Sequence, residues 1–94
     1  MTLRRIDHHH VESDEGWSVD TSSFLDLIYR DDHVESAVTL EGAGTFFSPC
    51  DVWLSSMRIK AREAELEVSP EYRNKVEARI EEALRVLKIR YRRR

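Results

Sequence analysis

Two Ser-Pro steps constrain this chain more than any other feature. Ser48-Pro49-Cys50-Asp51 and Ser69-Pro70-Glu71 each set a hydroxyl before a proline, with an acid following within the first helical turn. The hydroxyl can satisfy a free N–H, proline loses nothing at the first helical position, and the acid complements the positive end of the helix dipole. The two starts stand twenty-one residues apart. That spacing predicts one helix over about 49–67, a short link, and a second over about 70–91, of matched length at roughly 27–32 Å. The Val68-Ser69-Pro70 link is short enough to make them an antiparallel hairpin.

The first of these helices would be apolar on two sides. Cys50, Leu54, Met57, Ala61, Ala64 and Val68 are spaced 4-3-4-3-4, and Trp53 widens that stripe. Val52, Ile59 and Leu66 recur every seven residues on nearly the opposite side. A strand competes for the same residues, because Met57-Ile59-Ala61 and Ala64-Leu66-Val68 alternate. The alternation slips at Arg62-Glu63, where no turn residue stands, and KAREAELE is strongly helix-forming, so the helix is preferred. The second helix places Tyr72, Val76, Ile80, Ala83, Leu84, Leu87 and Tyr91 on one face, and sets Glu81 and Arg85 for an i,i+4 pair.

Val52, Ile59 and Leu66 left in water would forfeit roughly 1.5–3 kcal/mol each, so something besides the hairpin partner must cover them. Residues 17–47 supply a candidate. Thr21-Ser22-Ser23 could cap a short helix, yet Leu25, Leu27 and Tyr29 alternate as a strand would. Gly42-Ala43-Gly44 favours a turn, with Thr45-Phe46-Phe47 as the returning strand. The expected fold is α+β: a small antiparallel β-meander over 17–47 packed on a C-terminal antiparallel two-helix hairpin. Residues 1–16 are expected to be a flexible arm, and 17–94 a single domain.

With 94 residues, the chain holds one core, and large active-site architectures such as barrels or doubly wound sheets are excluded by size. No apolar run approaches a membrane span, and the N-terminus shows no signal-peptide apolar segment. A single cysteine, Cys50, excludes an internal disulfide and fits a reducing cytoplasm. Neither His8-His9-His10 nor His33 stands at a metal-binding spacing, so no metal or other cofactor is expected. Cys50 lacks a neighbouring base, Gly42-Ala43-Gly44 lacks the rest of a phosphate loop, and Asp31-Asp32 and Glu81-Glu82 lack a nucleophile. No catalytic residue is expected.

Charge is divided unevenly. Residues 1–47 carry three basic and ten acidic side chains, whereas 48–94 carry twelve and eight. From Ala83 onward there are six basic residues and no acid. The halves are expected to attract each other, within one chain or between two. The same tail, Arg85, Lys88, Arg90, Tyr91, Arg92, Arg93 and Arg94, is the candidate nucleic-acid surface, with cations for phosphates and an aromatic to stack on a base. A pI near 5.8 argues against nucleic acid as the first choice. The expected function is that of a small non-catalytic regulatory or adaptor protein that binds another protein or itself as a homodimer. Val52, Ile59, Leu66, Trp17 and Trp53 are the candidate interface residues.

Overall fold

The computed structural model describes residues 3–23, 25–42, 49–61 and 69–94. These residues form eight strands and one α-helix: β1 (Leu3–Arg5), β2 (His10–Ser13), β3 (Ser18–Asp20), β4 (Asp26–Arg30), β5 (Val34–Glu41), β6 (Cys50–Val52), β7 (Arg58–Ala61), α1 (Pro70–Val86) and β8 (Tyr91–Arg93). A 3-10 turn at Leu54–Ser56 separates β6 from β7. All eight strands belong to one mixed sheet in the order β1-β2-β3-β4-β5-β6-β8, with β7 alongside the first half of β5. Every pairing is antiparallel except β6 with β8.

Alternation decides which side of the sheet is dry. Along β5, Val34, Ser36 and Val38 are buried while Glu35, Ala37 and Thr39 are exposed. Val11, Val19, Leu27, Tyr29, Cys50 and Val52 continue the same inner face on neighbouring strands. The sheet curls into a half-barrel, and α1 lies along its hollow with Val76, Ile80, Ala83 and Leu84 buried in the shared core. Each of the large aliphatic side chains contributes roughly 1.5–3 kcal/mol by leaving water.

The two-helix hairpin on a small meander is therefore overturned: among the described residues there is one helix, and strands run from Leu3 to Arg93. Residues 50–61, the described part of the first helix expected over about 49–67, form β6, the 3-10 turn and β7. The reason lies in the spacing. Inward positions Cys50, Val52 and Leu54 alternate, the turn then adds a step of three, and Met57 and Ile59 alternate again. A strand face with one three-residue step contains 50, 54, 57 and also 52 and 59, which on a helix look like stripes on opposite sides. The paradox of a two-sided helix disappears once these residues share one sheet face. Leu66 and its neighbours 62–68, with the turn and strand expected over 43–47, lie outside the described residues.

The N-terminal residues expected as a flexible arm supply β1 and β2, paired from Leu3↔Ser13 to Arg5↔Val11. Gly42 has φ +109°, and a Cβ there would stand 2.6 Å from the Pro49 carbonyl oxygen, so only glycine permits this approach. Arg73 ties the 3-10 turn to the helix by donating to the Leu54 carbonyl at 2.9 Å and the Met57 carbonyl at 3.0 Å.

The start of α1 falls where Ser69-Pro70 placed it, with Ser69 Oγ accepting from the Tyr72 N–H at 3.1 Å. Its end comes early. Lys88 adopts φ +58°, its N–H donates to the Arg85 carbonyl, and the Ile89 N–H donates to the Leu84 carbonyl. This pair of bonds is a Schellman closure with lysine in the left-handed position that glycine usually takes. Arg85 pairs with Glu82 at 2.9 Å, leaving Glu81 to Tyr91 and Arg93. A side chain in the left-handed region costs about 1 kcal/mol. Lys88→Gly should therefore raise the unfolding free energy in urea by about 1 kcal/mol without moving the helix end.

Candidate functional site

Among the described residues a richly connected polar group is the buried carboxylate of Asp31, just past the end of β4. Its Oδ1 accepts from the His33 and Val34 N–H groups at 2.7 and 2.8 Å, which fixes the β4–β5 turn. Its Oδ2 accepts from Tyr29 Oη at 2.7 Å and from Tyr72 Oη on the helix. Arg79, one face of α1 further on, donates to Tyr29 Oη at 2.8 Å and approaches Asp31 Oδ2 at 3.7 Å. Its guanidinium also lies 5.5 Å from the Trp17 ring centroid, and Trp17 packs on Tyr29 with centroids 6.0 Å apart.

Burial by itself would raise the Asp31 pKa, but hydrogen bonds from Tyr72, Tyr29 and the two N–H groups outweigh it and hold the carboxyl below its usual value. Burial, then the Asp31 carboxylate, pushes Tyr72 up to about 12 and Tyr29 higher still. Both Asp31 oxygens are engaged by donors, and both phenols are held neutral. The group fastens helix to sheet and has no free lone pair suited to general-base work. Beside it, Glu12, Ser13, Gly16, Trp17, Arg30 and Asp32 line an open recess of about 320 Å³.

A second recess, of about 400 Å³, opens at the other end of the helix. Leu40, Cys50, Leu84 and Ile89 form its apolar walls, and His8, His9, Thr21, Ser22 and Ser23 stand around it. The Thr21 N–H donates to the His9 carbonyl at 2.7 Å, so the β1–β2 and β3–β4 connections sit side by side there. Those connections carry the two large apolar side chains that stand exposed among the described residues, Ile6 at 47% and Leu25 at 72%. Leu25 was expected to alternate with Leu27 and Tyr29 along a strand. What exposes it is that β4 begins only at Asp26.

The arginine-rich C-terminus is a strand, which turns alternate side chains to opposite faces. Arg92 and Arg94 both meet Asp51 on β6, at 3.0 and 3.4 Å. Arg93 points the other way, to Glu81 at 3.0 Å and Glu77 at 3.2 Å on α1, where Tyr91 Oη also donates to Glu81. Arg94 and Arg92 hold the Asp51 carboxyl below its usual value against the opposing desolvation. Arg92, Arg93 and Arg94 thus pair with acids of their own half of the sequence. Arg79 reaches the acidic half, through Asp31 and Glu15. Arg85, Lys88 and Arg90 are exposed.

Of the interface residues expected from sequence, Val52 and Trp17 are buried in the core, and Ile59 packs partly buried against it. Trp53 is half-buried. Cys50 is buried, which pushes its thiol pKa up. His10 lies on the outer face between Glu12 and Asp20, while His8 meets Arg5 at 2.7 Å and His9 stands with it at the rim of the second recess. Among the described residues, no group of three or more His, Cys, Asp or Glu is placed to hold a metal ion. No helix of the described residues is long and apolar enough to cross a membrane.

The Asp31 network carries a pH signature. A carboxyl whose folded pKa is depressed stabilises the fold above its unfolded value near 4, and that stability is lost as pH falls through the lower folded value. Asp31→Asn should cost about 3 kcal/mol at neutral pH, because Arg79 loses its buried partner. Urea titrations from pH 7 to 3 should show the wild type converging on the variant at the acid end. No protein-family model, curated protein or solved structure gives a significant match to this chain.

Proposed function

We propose that the chain is a small non-catalytic regulatory or adaptor protein that acts by binding another protein, a second copy of itself included, in a reducing cytoplasmic setting. One observation carries this reading: Ile6 and Leu25 stand exposed at the same end of the fold as a recess walled by Leu40, Cys50, Leu84 and Ile89. Single exposed apolar residues are ordinary, but two beside an apolar recess offer a partner side chain both a pocket and a rim. The buried Val52 and Trp17 serve the core in this reading and leave docking to the Leu25 end.

A photo-crosslinking residue at position 25 tests the reading in cells. It should give a discrete protein adduct that the same residue at exposed Thr39, on the outer face of the sheet, does not. Light scattering at two protein concentrations separates a homodimer from a different partner, and Leu25→Asp should weaken the association by about tenfold or more. Crosslinks confined to RNA, with retention that falls steeply as salt rises, would instead support nucleic-acid binding through Arg85, Lys88 and Arg90 to Arg94.

A further inference from the structure

The sheet sorts charge by strand position. Strands β1 (Leu-Arg-Arg), β7 (Arg-Ile-Lys-Ala) and β8 (Tyr-Arg-Arg) each pair with one other strand among the described residues, and each carries two cations and no acid. The strands between them hold Glu12, Asp20, Asp26, Glu35, Glu41 and Asp51 against a single Arg30. Cations on a free edge repel the edge of another copy, a known way of preventing sheets from adding to one another. They also prepare that edge for an acidic strand.

Among the described residues, β8 presents such an edge. The Arg90 carbonyl accepts from the Cys50 N–H at 2.8 Å, and the Arg94 N–H donates to the Val52 carbonyl at 2.9 Å. Backbone groups of alternate residues point to opposite sides of a strand, so Arg92 also turns to β6, and Tyr91 and Arg93 turn their N–H and C=O outward. Flanking that edge, Arg92 and Arg94 share the single carboxylate of Asp51 and remain 59% and 46% exposed. Arg93, although held by Glu77 and Glu81, is 51% exposed.

We propose that the outer edge of β8 accepts an extended acidic segment of a partner protein as an added strand. Main-chain bonds to Tyr91 and Arg93 supply the pairing, and Asp or Glu at alternate positions of the segment meet the Arg92–Arg94 row. Another copy's edge is disfavoured by its own arginines, Arg4 and Arg5 on β1. The phosphates of a nucleic acid offer acceptors but no donors for the outward carbonyls. The surface uses different residues from the Leu25 end, so either proposal can fail without the other.

The test uses the full chain and a blocked peptide with Glu at alternate positions and Val or Thr between. Amide spectra should show saturable shifts and slowed hydrogen exchange at Tyr91 and Arg93. Arg93→Ala, which loses the side chain but keeps the N–H, should still bind. Arg93→Pro, which removes the outward N–H and spares the bonds to β6, should bind at least about tenfold more weakly than Arg93→Ala. A peptide with Lys for Glu should not bind. Equal binding by the two Arg93 variants, equal binding of the Lys peptide, or no added protection at Tyr91 and Arg93 in the wild type would each overturn the proposal. Oligothymidylate shifting the same amides at lower concentration would replace it with a nucleic-acid surface. Should the proline variant not fold, exchange at the two wild-type amides decides alone.

Discussion

A sheet that curls has a hollow face, and here one helix of seventeen residues fills it. The apolar contact of Val76, Ile80, Ala83 and Leu84 with the inner side chains of β2 to β6 is what the remaining features serve. Apolar burial is non-directional and would tolerate a helix turned or slid along the hollow. Directional bonds remove that freedom. Asp31 takes Tyr72 and Arg79 from the helix, Arg73 takes the carbonyls of the 3-10 turn, and Glu77 with Glu81 takes Arg93. Polar anchors thus run from Tyr72 in the first turn of the helix to Glu81, which fixes its position as well as its burial.

The sequence made the helix start legible because Ser69 and Pro70 act locally. Its end was not, because a left-handed residue is normally read from glycine, and Lys88 takes that position with its neighbours' backbone bonds satisfied. The region 50–61 failed for a different reason. Its inward positions fit strand and helix spacing together, and propensity favoured the wrong one. What decided it was non-local: β5 offers one edge to both β6 and β7, a partner invisible to any window around Met57. Strand structure in residues 3–13 was missed for the same reason, since only Val11 there is a buried apolar residue and polar outer-face positions surround it.

The functional residues were less legible than the fold. Asp31 looked like half of an adjacent acid pair in a turn; its role comes from Tyr72 and Arg79, some forty and fifty positions away. The basic tail stood out by composition, but composition does not tell that a strand would divide its arginines between two faces and give each face its own carboxylates. Val52 and Ile59 were expected to face outward from a helix and to need cover there; they stand instead on the inner face of strands, Val52 buried and Ile59 partly so. The cover is the inner core of the sheet, so their apolar character speaks to folding more than to docking.

The parallel pairing of β8 with β6 has a consequence for the order in which the molecule is made. Between these two strands the chain must pass through the 3-10 turn, β7 and the whole of α1. On the ribosome, the strand that closes this flank emerges after everything it closes upon. During that interval β6 is itself a bare flank, and the side chain pointing outward from its centre is an aspartate, Asp51. A charge there discourages premature partners while the nascent chain waits for the arginines that later neutralise it.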